Sequence, residues 1–256
     1  MLLTLEKTFK LLFATSLLAC AVLYFFKDEL PPASFYNIEK LDEPIQEPTS
    51  KKEFLTQVSD EKYLIIPKFD YELEGVIVSY NNAGDFTDYF HSVWNDHINL
   101  RDLCVIWGDN VGTGVYLETD FHNDSWTCWV QWPNHDVRKR FDMAQLSNNH
   151  VLIDNAEVEK KLMRAGPGDH IRLKGVLAEY RNPRTGFRRS TSITRTDTGN
   201  GACETIYITD FEVIKKANPR LRQLYAIAKW SAIAALIGIV FMFVFAPYRG
   251  RYASDG

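Results

Sequence analysis

The chain has 256 residues, of which 46% are hydrophobic, 13% aromatic and 24% charged; this is ample apolar material for a packed core and excludes wholesale disorder. A formal net charge of -4 gives no global attraction to nucleic acid, so any anion-binding surface must be local. Two apolar runs near the ends remove much of the length from any soluble core and leave room for one globular domain.

Leu11 to Phe26 is an uninterrupted apolar run, with Lys7 and Lys10 before it and Lys27, Asp28 and Glu29 after it. It reads as a retained transmembrane helix over residues 11–26 behind a short tail, 1–10. The competing reading is a cleaved signal, because Leu17-Leu18-Ala19-Cys20 has the form of a lipobox in which Cys20 would be lipidated. Ala21 to Phe26 argue against cleavage, since they stay apolar where a lipoprotein turns polar. Next, Pro31, Pro32, Pro44 and Pro48 stand among Glu, Asp and Gln without periodicity, which predicts an extended, acidic, Pro-rich spacer over 27–60. Within it, Lys51 to Val58 is expected to form one short helix.

Residues 61–216 read as a β domain. Tyr71 to Tyr80 alternates as a strand does, and its internal Gly75 suggests a bulge or tight bend. Asn81 to Asp102 is expected to cross as a loop with a helical turn. Leu103 to Trp107, Val115 to Thr119 and Trp126 to Trp132 are strand candidates, rich in β-branched and aromatic residues. Asn155 to Ala165 places Val158, Leu162 and Ala165 on one face and predicts a short amphipathic helix capped by Asp154 or Asn155. A Gly-Pro-Gly-Asp turn follows, then a strand with Ile171, Leu173, Gly175 and Leu177 on one face. The turn-forming cluster Asn182 to Gly186 leads to a second strand from Phe187 to Arg195. After a Gly-rich loop, Ile206, Ile208, Phe211 and Val213 mark a closing strand, which makes the three a β-meander.

The helix set before a Gly-Asp strand start, and the step Gly168-Asp169-His170-Ile171-Arg172-Leu173-Lys174-Gly175, resemble OB-type barrels. The resemblance implies a mainly β fold, an OB-like small β-barrel with one short amphipathic helix, flanked by two transmembrane helices. Barrels of this type bind nucleic acids, sugars or proteins, so the likeness carries architecture and no reaction. As a whole the chain is similar to membrane-anchored bacterial proteins of unassigned function, a likeness that supplies neither catalytic residues nor a cofactor.

Lys215, Lys216, Arg220, Arg222 and Lys229 lead into a second apolar run, read as a transmembrane helix over 225–246 with Tyr225, Trp230 and Tyr248 as an aromatic belt and a tail over 247–256. Ala234 and Gly238 stand four apart, a spacing that would let a second copy pack as a homo-oligomer. Basic residues flank both sides about equally, so orientation rests on the first span, whose leading flank holds Lys7 and Lys10. The termini are expected in the cytoplasm and the domain outside it, at the cell inner membrane.

Cys104, Cys128 and Cys203 lie in or beside predicted strands without CxxC spacing, which does not support a zinc site. One disulfide among them would suit an oxidising compartment, with three pairings open. His150 with Cys128 or Cys203 would make the base and nucleophile of a thiol-dependent hydrolase, yet no flanking residue supports it. His91, His97 and His122, near Asp88, Asp96 and Asp120, read as solvated loop residues and not metal ligands. The hairpin stands apart: Arg181, Arg184, Arg188, Arg189 and Arg195 fall in a stretch without an acid, flanked by Tyr180 and Phe187. The expected function is a membrane-anchored, non-catalytic binding or assembly module that meets a protein or anionic partner through these residues. A cytoplasm-facing nucleic-acid binder is the alternative.

Overall fold

The computed structural model describes residues 2–83, 93–124, 126–197 and 203–245. In chain order its elements are helix α1 (Leu2–Phe26), strands β1 (Ile45–Pro48), β2 (Phe54–Val58), β3 (Glu61–Asn82) and β4 (Asn99–Ile106), and helix α2 (Gly108–Gly112). Then come β5 (Asp120–Asn123), β6 (Cys128–Gln131), α3 (His135–Arg140), β7 (Leu146–Leu152) and α4 (Ala156–Leu162). Strands β8 (His170–Arg181), β9 (Arg188–Arg189) and β10 (Glu204–Lys215) and helix α5 (Pro219–Phe245) complete the series. The architecture is thus mixed helix and strand. The chain divides into two compact units, Leu30–Ala217 and the flanks Met1–Glu29 with Asn218–Gly256.

In the flanking unit, α1 and α5 are both long and apolar enough to cross a membrane. Helix α5 starts earlier than 225 because Asn218 takes a left-handed conformation (φ 45°) and Pro219, whose ring presets a helical φ, follows as the first helical residue. Ala228, Ala232, Ala235 and Met242 are its buried positions. The Phe9 ring lies so close to Gly238 that a Cβ there would come within 2.7 Å of it. Gly238 therefore serves the α1 contact while Ala234 is exposed.

The domain is organised on β3, whose 22 residues are long enough to serve several partners. Strands β1 and β2 pair antiparallel with it. From β3 the pairing runs antiparallel to β4 and on to β7, parallel from β7 to β10, antiparallel to β8, and back antiparallel to β3. Register shifts between Pro67 and Phe69 and between Ile77 and Ser79 bend β3 along the way. Leu73, Leu103, Val105, Ile171, Leu173 and Phe211 bury against one another in the main core, to which α4 adds Val158 and Leu162. Asn155 caps α4, its Oδ1 accepting from the backbone N–H of Glu157 at 2.9 Å.

Several expectations are corrected here. The segment over 27–60 is not a spacer from Leu30 onward: Tyr36 and Leu41 are buried in the core, and β1 joins the sheet. Residues Lys51 to Val58 contain a strand and not a helix, because Phe54, Thr56 and Val58 turn one face inward in a period of two. Val115 to Glu118 is a 3-10 turn, entered through the left-handed Gly114. The meander is absent as such: β10 pairs directly with β8, and the strand expected over Phe187 to Arg195 shrinks to Arg188–Arg189 because its Ser, Thr and Arg side chains offer no face to bury. Strand β7, Leu-Ser-Asn-Asn-His-Val-Leu, carries no apolar alternation and was not expected. The domain also holds the short helices α2 and α3, which were not expected, beside the expected α4.

Candidate functional site

The β8–β9 hairpin is built by Asn182. Its Oδ1 accepts from the N–H groups of Arg184 (2.9 Å) and Thr185 (3.2 Å), and Gly186 takes the left-handed φ of 76° that closes the turn. The turn delivers five arginines to different surroundings. Arg184 forks onto Glu61, with Nε at 3.0 Å from Oε2 and Nη2 bonded to Oε1. The guanidinium, with Asn182, holds the Glu61 carboxyl below its usual range. Arg195 pairs with Glu204 and donates to Tyr71 Oη at 2.8 Å. Burial raises the Glu204 carboxyl to about 7 in spite of the opposing Arg195 charge. Arg189 lies 4.3 Å over the Trp126 ring and bonds His150 Nε2. A guanidinium can only donate, so His150 Nε2 accepts, and its Nδ1 carries the proton toward Asp102 Oδ1 at 2.5 Å.

The sequence stretch that holds these arginines contains no acid, yet the fold brings Glu61 to Arg184 and Glu204 to Arg195, while Asp102 reaches Arg189 only through the His150 ring. The expectation of an arginine cluster without acids is thereby overturned for Arg184 and Arg195. Arg181 and Arg188 are the remaining two. They face each other directly across the β8–β9 register, both exposed, and among the described residues neither meets an acid within ion-pair distance. Glu179, on the same face of β8, is taken by Lys68 at 2.9 Å. A depression of about 350 Å³ lies here, lined by Ile66, Glu179, Tyr180, Arg181, Arg188, Arg189 and Ser190. Tyr180 and Phe187 serve the base of the hairpin: Tyr180 donates to Asp96 Oδ2 at 2.6 Å from a buried position, and Phe187 stacks on Trp94 at 5.5 Å.

The cysteines divide as well. Cys104 and Cys128 form a disulfide that ties the β5–β6 hairpin to β4, and Cys203 is a free thiol. Cys128 is thereby removed as a nucleophile. Cys203 sits beside Asn148 Nδ2 (3.6 Å), and burial raises its thiol pKa, the reverse of what activates a nucleophile. Both ring nitrogens of His150 are engaged, by Asp102 and Arg189. Among the described residues no group of three His, Cys, Asp or Glu is placed to hold a metal ion. Asp96 serves Tyr180 and His122 stacks on Trp129 at 6.2 Å, while His91 and Asp88 lie outside the described residues. The sequence had no way to reveal Glu61, Asp102 or Glu204 as partners, since none lies in the arginine stretch. The chain matches no protein-family model, no curated protein and no solved structure.

Proposed function

We propose that this is a two-span membrane protein whose domain is an OB-like barrel acting as a non-catalytic binding module outside the cytoplasm, where it captures an acidic protein partner through Arg181 and Arg188. The barrel reading is supported by the circuit of pairings from β3 through β4, β7, β10 and β8 back to β3, with α4 between β7 and β8. The membrane reading is supported by the length and apolar character of α1 and α5. The Cys104–Cys128 disulfide favours an oxidising compartment.

The observation that carries the binding function is the arginine pair. Like charges directly opposite in a sheet are destabilising, and an anion bound from outside the domain would relieve that repulsion. Arg181 ends β8 and Arg188 opens β9, at the start of the connection to β10, the position of a ligand-binding loop in OB-type barrels. The test uses the full chain in detergent and a fluorescent polyglutamate peptide, read by anisotropy. The peptide is expected to bind, more weakly as salt rises, and Arg181→Ser with Arg188→Ser is expected to weaken it at least tenfold with an unchanged melting temperature. Arg184→Ser, which leaves Glu61 and the turn without their partner, is expected to leave peptide binding within about twofold of wild type. Binding that survives the double change, or that disappears with Arg184→Ser alone, would refute the assignment.

A further inference from the structure

The two ends of the domain's chain meet at one corner. Tyr36 Oη donates to the Gly168 carbonyl at 2.9 Å, and Ala217 N–H donates to Asp169 Oδ1 at 2.8 Å. A Cβ on Gly168 would come within 2.7 Å of Pro31 and 2.9 Å of Ala217. The two ends of the unit, Leu30 and Ala217, are therefore gathered at one place. Beside them lies a depression of about 320 Å³ lined by Lys161, Arg164, Phe211, Glu212, Val213 and Lys216. Its floor is apolar, with the half-buried Val213 beside the fully buried Phe211, and the neighbouring Met163 is 41% exposed.

The charges around this floor are unbalanced. Glu212 is engaged by Arg172 at 2.6 Å, and Lys161 lies 3.8 Å from Asp210. Lys215 is tied to the Phe35 carbonyl at 2.6 Å. Lys216 Nζ donates only to a carbonyl, that of Arg164, at 3.2 Å. Among the described residues no acid pairs with Lys216 or with the exposed Arg164 guanidinium. Two open cations over an apolar floor fit a ligand with an anionic head and a hydrocarbon body. Lys216 also stands just before Pro219, where α5 begins, and a fully extended chain spans at most about 3.6 Å per residue. Chain length alone holds this lysine within roughly three residues' reach of the apolar helix.

We infer that the depression takes the headgroup of an anionic phospholipid, with Arg164 and Lys216 on the phosphate and Val213 against the glycerol and first methylenes. This rests on the reading of α1 and α5 as membrane spans. Basic side chains beside a membrane surface attract anionic lipid, and long cationic side chains reach the headgroup level while their stems cover apolar surface.

The experiment places the full chain in nanodiscs of phosphatidylcholine and compares spin-labelled phosphatidylglycerol with spin-labelled phosphatidylcholine by the fraction immobilised on the protein. Phosphatidylglycerol is expected to be preferred, and Arg164→Gln with Lys216→Gln should reduce that preference about fivefold for each cation removed. The charge-keeping pair Arg164→Lys with Lys216→Arg should retain it, and soluble glycerol phosphate should not compete. Should the double change disturb folding, Arg164→Gln alone, at an exposed side chain, reads the same loss. Equal retention of both lipids, or displacement by soluble glycerol phosphate, overturns the site. Alkaline carbonate extraction separates the two levels: release of the chain defeats the membrane reading itself, whereas a retained chain without lipid preference defeats only the pocket.

Discussion

Glu204 is a buried carboxylate whose electrostatic cost can be tested by one substitution. It is 3% exposed, its Oε1 pairs with Arg195 and its Oε2 is buried without a hydrogen-bond partner among the described residues. Its carboxyl rises from an ordinary 4.5 to about 7, mainly through burial. The folded state therefore keeps a proton that the unfolded state has released. The stability this contributes is fully present below about pH 4.5 and is lost as pH rises through about 7. His170 works in the opposite sense, because burial lowers its pKa and the folded state resists its protonation. The informative quantity is thus the difference between variants. Glu204→Gln is expected to gain relative stability between pH 5 and about pH 7 and to level off above it, measured as melting temperature at each pH. A constant offset over that range would show that Glu204 does not titrate there. Nothing in the local sequence, Ala-Cys-Glu-Thr, distinguishes this carboxylate from a solvated one; the partners that bury it arrive from elsewhere in the chain.

At the level of elements, legibility followed how the side chains are buried. Strand β8 was readable because Ile171, Leu173, Gly175 and Leu177 face a core, and Gly175 is where a Cβ would stand 2.1 Å from the Tyr207 carbonyl oxygen. Helix α4 was readable because one face is apolar and Asn155 caps it. Strand β7 was not, since Ser147, Asn148, Asn149 and His150 are all buried, each side chain making at least one hydrogen bond. Burial on both faces removes the alternation on which a strand reading depends. The arginine hairpin was half legible: its turn chemistry was plain, but its electrostatics depended on acids from other strands. Residues 30–60 misled for a further reason, because prolines and acids outnumber the few side chains that anchor them. Leu41 also closes a backbone bond, accepting from Gly108 N–H at 2.8 Å, and Tyr116 Oη bonds the Pro31 carbonyl. A fragment over 30–217 should therefore be soluble with a single cooperative melt, whereas one over 61–217 should lose that cooperativity or aggregate, exposing the face that Tyr36 and Leu41 cover. If the shorter fragment melts as sharply and as late as the longer one, the N-terminal segment is a passive wrapping.

For the whole molecule, the two apolar helices at the ends and the disulfide between them constrain one another. An even number of spans would set both termini on the same side and the domain on the other. The spacing of the basic residues leaves that side open, because Lys7 and Lys10 at one end are matched by Lys27, Lys215 and Lys216 toward the domain. Cys104 and Cys128 add an independent argument: they are 24 residues apart, and a closed loop of that size stabilises a fold by about 3 kcal/mol, an advantage that persists only where thiols are kept oxidised. A domain facing the cytoplasm would hold the pair reduced. In intact cells, a tag inserted in the exposed turn between Ser59 and Asp60 is therefore expected to be reached by external protease, while a reporter fused after Gly256 stays protected. In the same cells Cys104 and Cys128 should resist a membrane-impermeant maleimide until a reductant is added, and the added reductant should lower the melting temperature of the purified chain. A protected tag together with a thiol pair already reduced before lysis would reverse the orientation, and with it the case for an extracytoplasmic partner at Arg181 and Arg188.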